Sequence, residues 1–161
     1  MDKFKRKRIL LILSFCVSVV LCNITQLNAA PVADRVIEGV DVFDDIHRSE
    51  VSINFTFPVR YIKHFPLYKG KELRIRVAPL VVAPVDEDAV FERENVVPQQ
   101  TELVPLYEVV YEGDFDADGF YVHLSFNDDV VFGVEQGANF RSVVVYVCQE
   151  KYSAELKQCQ D

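Results

Sequence analysis

The sequence contains no tryptophan, one methionine and three histidines among its 161 residues. The histidines are His47, His64 and His123, and none stands at the spacing of a zinc site. No G-x-S-x-G motif, no P-loop and no cysteine with a plausible histidine partner is present. The carboxylates are too scattered to single out a catalytic pair. These absences argue against the motif-bearing enzyme classes, so we predict no catalytic residue, no cofactor and no enzymatic activity.

Positive charge is scarce relative to negative charge. The chain has 17 Lys and Arg against 25 Asp and Glu, for a formal net charge of −8. This balance argues against general binding of nucleic acid, which requires neutralisation of phosphates. Half of the residues are hydrophobic and 12 are Phe, which is ample for a packed core.

The first thirty residues have the layout of a secretory signal. Lys and Arg fill most of positions 3–8, residues 9–22 are apolar or small, and Ala29 and Ala30 close a short polar stretch. An apolar run of this length is short for a membrane span, which needs roughly 20 residues. We predict a signal peptide over residues 1–29 and a single domain over residues 31–161, with its core at about 36–147. Export to a bacterial periplasm, or secretion, follows. An uncleaved signal would instead anchor the protein to the membrane.

Four cysteines occur, and two of them lie in the predicted signal. Cys148 and Cys159 remain, and in an oxidising compartment we predict a disulfide between them. By loop-closure arithmetic such a ring contributes roughly 2–3 kcal/mol. A redox pair would need Cys-x-x-Cys spacing, and a metal site would need further ligands.

Apolar residues alternate with polar ones from Val51 to Tyr61 and again from Leu73 to Val77. Period two over such lengths is typical of strands with one buried face. A Lys-Gly-Lys turn separates them, so we predict an antiparallel hairpin that pairs Val51–Ile62 with Glu72–Ala78.

The rest of the chain continues in short strands separated by turn residues. We predict a short helix at Asp86–Glu94 and a tight turn at Asn127–Asp129. This spacing predicts an all-β fold, an antiparallel β-sandwich of about seven or eight short strands with one short helix, or a small barrel. The further predicted strands are Asp34–Phe43, Leu106–Glu112, Phe120–Phe126, Val130–Glu135 and Phe140–Val147.

Half of the Lys and Arg outside the first thirty residues fall between positions 60 and 76. Arg60, Lys63, Arg74 and Arg76 lie on the predicted hairpin, and only Glu72 opposes them within the segment. Guanidinium groups suit the planar geometry of carboxylates and phosphates. We predict that these four residues bind an anionic ligand. A solvated sheet face, paired with acidic residues of other strands, is the alternative.

The segment from Asp114 to Gly119 (DFDADG) resembles the start of a calcium loop, with acidic residues at Asp114, Asp116 and Asp118. The twelfth position is Ser125 rather than Glu, and the flanks have strand patterns, so an EF-hand is not expected. An acidic β-turn is the simpler interpretation. A weak calcium site at the tip of a hairpin is the alternative.

Several phrases of the sequence resemble a bacterial envelope module. They are FPVRYIKHFP, KGKELRIRV, AVFERE, PLYEVVYEGDF and FRSVVVYV, spread over residues 36–147. They resemble the N-terminal β-domain that precedes tetratricopeptide-repeat or SPOR segments in some proteobacterial envelope proteins, and also AMIN-type β-sandwiches. This resemblance implies peptidoglycan binding and septal targeting. It carries no functional residue over to this chain.

We therefore expect an exported, non-catalytic envelope module that recognises peptidoglycan or another anionic envelope partner, such as a protein, through the basic hairpin face. Edges of the sheet offer a second route, by strand addition. One alternative is a secreted small hydrolase or inhibitor-like protein, which a pocket with His123 or His64 beside a carboxylate would favour. Another alternative is a calcium-stabilised structural domain.

Overall fold

The computed structural model describes residues 34–80, 91–101, 103–116 and 119–148, with only the backbone for 113–116. These residues belong to one compact unit, Val32–Asp161, and they form eight strands. The strands are β1 (Ile37–Asp44), β2 (Arg48–Phe55), β3 (Val59–Phe65), β4 (Lys69–Pro79), β5 (Glu94–Val96), β6 (Leu106–Asp116), β7 (Gly119–Gln136) and β8 (Ser142–Cys148). The predicted signal peptide and Cys159 lie outside the described residues.

All strands pair antiparallel in one sheet. Its order is β1-β2-β8-β7-β4-β3, and β6 pairs with both β5 and β7. Strand β7 joins two regions, because its first half (Gly119–Phe126) pairs with β4 and β6, and its second half (Val130–Gln136) pairs with β8 from Val131 onward. The start of β4 reaches the second half, where Lys69 and Gly70 pair with Val131 and Val130. The predicted antiparallel, all-β class is thus confirmed for the described residues, as a single sheet.

The sheet curls so that its apolar faces meet. Phe55 of β2 and Phe120 of β7 are not on hydrogen-bonded neighbouring strands, yet their ring centroids are 5.9 Å apart. Phe57 and Tyr111 also pack edge-to-face on Phe120, at 6.1 and 5.2 Å. All four rings are fully buried. Burial of such rings gives a large share of the stabilising apolar area.

The carboxylate of Glu94 connects two of the terminal strands of the sheet, β1 and β5. It accepts hydrogen bonds from the backbone N–H of Val36 at 2.5 Å and of Ile37 at 2.9 Å. These bonds join the start of β1 to β5. A half-buried carboxylate with two backbone donors is well satisfied.

The predicted hairpin is partly wrong. The alternation from Val51 to Tyr61 belongs to two strands, because the chain leaves β2 after Phe55 and enters β3 at Val59. Pro58 between them has no N–H to donate to a ladder. Strand β2 pairs with β1 and β8, so that of these two strands β3 alone pairs with β4. The reversal lies at residues 66–68, and Lys69 already belongs to β4.

One other local prediction is wrong, and another falls mostly outside the described residues. Asn127–Asp129, predicted as a tight turn, lies inside β7, where the strand passes from one pairing region to the other. Most of the predicted helix Asp86–Glu94 falls outside the described residues. Its predicted last residue, Glu94, is in β5. Among the described residues, none forms a helix long and apolar enough to span a membrane.

Candidate functional site

The four predicted basic residues lie on β3 and β4. Inward-facing Leu73, Ile75 and Val77 are buried in β4, so the intervening Arg74 and Arg76 point to the outer side of the sheet. On β3, Arg60 pairs with Ala78 and is therefore on the same outer side.

A β-bulge places Lys63 on this side as well. The register between β3 and β4 shifts between Tyr61 and Lys63. Strict alternation would turn Lys63 toward the core, but beyond the shift it pairs with Arg76. The bulge reverses the alternation, so that the imidazole of His64 faces inward and Lys63 faces outward. We call the outward group Arg60, Lys63, Arg74 and Arg76 the basic face.

Tyr121 of β7 supports the arginines of the basic face. The guanidinium carbon of Arg74 lies 3.7 Å from the centroid of the Tyr121 ring, and that of Arg76 lies 5.4 Å from it. Both distances are within the range of cation–π attraction. Arg60, Lys63 and Arg74 are exposed, whereas Arg76 is half-buried. The ring therefore holds two guanidinium groups beside each other at the surface.

The charge of this side of the sheet changes from strand to strand. Tyr121 pairs with Arg76 of β4 on one side and with Glu112 of β6 on the other. The structure therefore brings acidic residues of β6 onto the side that the sequence showed only as a basic segment. Basic side chains predominate on β3 and β4, and acidic ones lie beyond β7.

His123 lies between the basic side chains of β4 and the acidic side chains of β6. Its Nε2 is 3.1 Å from Oε2 of Glu112, and it pairs with Arg74 in the β4–β7 register. Burial lowers the pKa of His123 below its usual value. The carboxylates of Glu112 and Glu72 oppose this effect, and the guanidinium groups of Arg74 and Arg93 add to it. The lowered pKa disfavours the charged imidazole, so His123 adds little positive charge to the basic face.

His64 connects β3 to the turn that follows it. Its Nδ1 is 2.6 Å from the Tyr61 hydroxyl and its Nε2 is 2.8 Å from the carbonyl oxygen of Leu67. Burial raises the pKa of Tyr61. Sequence reasoning missed this pair, because Tyr61 and His64 share a side only through the bulge.

Two clefts lie near the turn between β3 and β4. One has a volume of about 220 Å³ and contains Arg48, Lys69, Asp128 and Asp129 in its wall. The other is an apolar groove along residues 65–70 with Asp129 at its border. Neither lining includes a histidine.

Several predicted site residues are not placed by the structure. Cys159 lies outside the described residues, so its disulfide with Cys148 stays a prediction. Asp118 lies outside as well, and the side chains of Asp114 and Asp116 are not described. Within the part of the chain that the structure describes, no three His, Cys, Asp or Glu residues are grouped as metal ligands.

Comparison with protein-family models, with curated proteins and with solved structures finds no match to this chain.

Proposed function

We propose that the chain is an exported, non-catalytic envelope module whose basic face binds an anionic partner, either peptidoglycan or an envelope protein. The observation that carries this proposal is the bulge between Tyr61 and Lys63, which adds Lys63 to the side of the sheet that presents Arg60, Arg74 and Arg76. A bulge commonly re-aims a side chain at a functional surface.

The arrangement suits carboxylates and phosphates. A guanidinium group binds such ligands through two parallel N–H donors, and it loses less side-chain freedom when it is already held in place. Tyr121 provides that support for Arg74 and Arg76. Stem-peptide carboxylates of peptidoglycan are anionic groups of the required geometry.

The remaining parts of the proposal concern fold and location. The curled sheet, with Phe55 packed on Phe120, supports a sandwich in which the two regions joined by β7 face each other. The resemblance to AMIN-type β-sandwiches and the predicted signal over residues 1–29 support an address in the periplasm. The terminal strands β1 and β3 of the sheet path offer edges to which a partner could add a strand.

Co-sedimentation with purified peptidoglycan sacculi tests the proposal. We expect the protein to sediment with sacculi at low salt and to be released as salt is raised, because the contacts are exposed ion pairs. The Arg74→Glu/Arg76→Glu variant should lose this binding. If the variant binds as the wild type does, the basic face is not the binding surface.

The hydrolase alternative has one observation in its favour, the 3.1 Å approach of His123 to Glu112. A histidine beside a carboxylate is the arrangement of a general base and its orienting group. Under this alternative the purified protein would hydrolyse an envelope substrate, and His123→Ala would abolish the activity. Binding without hydrolysis, unchanged in His123→Ala, would contradict it.

A further inference from the structure

Exposed apolar side chains concentrate where β3 turns into β4. Phe65, Leu67 and Tyr68 are 75%, 64% and 55% exposed, and Pro66 lies between them. We call residues 65–68 the hairpin tip. Large apolar side chains occur singly on most protein surfaces, but a contiguous group indicates an interaction site.

The backbone of the hairpin tip is held from inside. The carbonyl oxygen of Leu67 lies 2.8 Å from Nε2 of His64, and that of Tyr68 accepts a hydrogen bond from the N–H of Phe132 at 2.9 Å. Because a carbonyl oxygen can only accept, Nε2 of His64 donates the hydrogen bond to Leu67, and Nδ1 shares a second one with the Tyr61 hydroxyl. The tip is therefore fixed in shape while its apolar side chains face solvent, which lowers the entropy cost of binding.

The hairpin tip is continuous with the basic face. Phe65 pairs directly with Arg74 across β3 and β4, so its ring is on the outer side of the sheet. Lys63 stands two residues before Phe65, and Lys69 and Lys71 follow Tyr68. Asp129 borders the groove along the tip, and Asp128 lies with Asp129 and Lys69 in the neighbouring cleft. Toward the basic face, by contrast, the apolar residues of the tip are flanked by cations.

We propose that the basic face has a further anionic partner, a lipid bilayer surface, with the hairpin tip inserted among the headgroups and the basic face in contact with lipid phosphates. This inference goes beyond the proposed function and rests on the same basic face. Aromatic and aliphatic side chains bordered by Lys and Arg are suited to the membrane interface. Carboxylates of peptidoglycan would account for the arginines, but not for exposed Phe65, Leu67 and Tyr68.

The absence of tryptophan from the chain permits a site-specific test in the full-length protein. In Phe65→Trp the only indole is at the hairpin tip. The matched control is Phe43→Trp, since Phe43 is also an exposed Phe, at 62%, but it is on β1 at the other end of the sheet path. Both variants carry the same N-terminal segment, so any binding of that segment to lipid contributes equally to the two measurements.

With vesicles of phosphatidylcholine and phosphatidylglycerol, we expect the emission of Phe65→Trp to shift to shorter wavelength and to be quenched by lipids brominated on their acyl chains. The emission of Phe43→Trp should do neither. Vesicles of phosphatidylcholine alone should give a much smaller response. Adding Lys63→Glu and Arg74→Glu to Phe65→Trp should abolish the response, while circular dichroism shows the fold intact.

Three results would overturn the inference. They are an unchanged Phe65→Trp emission, an equal response from Phe43→Trp, or an equal response to vesicles without anionic lipid. If Phe65→Trp does not respond but sacculi still bind wild type and not Arg74→Glu/Arg76→Glu, the lipid inference is wrong and the proposed function stands. If neither vesicles nor sacculi bind, the lipid inference and peptidoglycan as the partner are both wrong, which leaves an envelope protein as the partner of the proposed function.

Discussion

An arginine stacks on a tyrosine ring beside each half of β7, but the charged residues around the two rings differ. In the first half, the ring of Tyr121 lies beneath the guanidinium of Arg74 at 3.7 Å. Beside the second half, on β8, the ring of Tyr146 lies beneath the guanidinium of Arg48 at 4.5 Å. An arginine stacked on a tyrosine is therefore a repeated feature of the outer side of this sheet, and alone it identifies no site.

The neighbours of the two rings make the difference. Burial raises the pKa of Tyr146, and the carboxylates of Glu50 and Glu135 raise it further, against the effect of Arg48. Acidic residues thus offset the positive charge there. Tyr121 also has an acidic neighbour, Glu112 of β6, but it contacts a second arginine, Arg76, which lies opposite Lys63 in the β3–β4 register. Of these two regions, the one around the first half of β7 therefore has the denser cluster of cations.

The first half of β7 depends on the glycine at which it begins, and replacement of that glycine should have the largest effect. Gly119 has φ of 122°, and an added Cβ would lie 2.0 Å from the carbonyl oxygen of Val77 on β4. We expect Gly119→Ala to lower the free energy of unfolding by at least about 3 kcal/mol, measured by urea denaturation. Gly39→Ala is the control, because a Cβ at Gly39 has no atom within 4 Å. Equal stability of the two variants would contradict this packing of β7 on β4.

The second half of β7 has a separate apolar group on its outer side. Val131 and Cys148 are buried there, with Tyr146 packed against them, apart from the main core. If Cys148 is bonded to Cys159 as predicted, Cys148→Ala and Cys159→Ala should each cost roughly 2–3 kcal/mol. The double variant should cost no more than the larger single loss, in thermal unfolding without reductant. Additive losses would show that the two cysteines act independently.

Glu94 connects β5, which pairs with β6, to β1, which pairs with β2, because its carboxylate binds the backbone N–H groups of Val36 and Ile37 at the start of β1. Glu94→Gln replaces one acceptor with a donor that faces an N–H. We expect a loss of about 2 kcal/mol in unfolding free energy. Glu38→Gln, at an exposed position of β1, should lie within about 0.5 kcal/mol of wild type. A Glu94→Gln variant as stable as Glu38→Gln would show that the connection does not contribute to stability.

His123 should give the smallest effect, a change in how stability depends on pH. Burial keeps the folded-state pKa of His123 below that of the unfolded chain, so the unfolded chain binds the proton more tightly. The stability that neutral His123 gives to the fold is fully present above the pKa of the unfolded chain, about 6.5. It is lost as the pH falls toward the lower pKa of the folded protein. Melting temperatures between about pH 5.5 and 7.5 should therefore fall less steeply with acidification in His123→Asn than in wild type. Identical slopes would mean that His123 does not titrate differently on folding.

Much of the strand content could be predicted, because burial on one side of a strand leaves a period of two. The alternation through Val51, Ile53 and Phe55 marked β2, and Leu73 to Val77 marked β4. Strand partners could not be predicted in this way. Buried residues continue through Phe57 and Val59 although the chain changes partners there, and alternation alone does not show such a change.

The basic face could be predicted in its members but not in its geometry. The density of Lys and Arg at residues 60–76 identified it. The bulge that turns Lys63 outward depends on pairing with β4, and the contacts with Tyr121 and Glu112 join residues far apart in sequence. Asn127–Asp129 has the composition of a turn, yet it lies inside β7, between the pairing of Phe126 with Leu106 and that of Val130 with Gly70.

The most direct test of the account compares charge reversal beside the two halves of β7 in one assay. Wild type, Arg74→Glu/Arg76→Glu and Arg48→Glu would be titrated with sacculi and with anionic vesicles at low and moderate salt. We predict that Arg48→Glu binds as wild type does with the same dependence on salt, whereas the double variant loses binding to whichever surface the wild type prefers. Loss of binding in Arg48→Glu, or its persistence in the double variant, would contradict the assignment of function to the basic face.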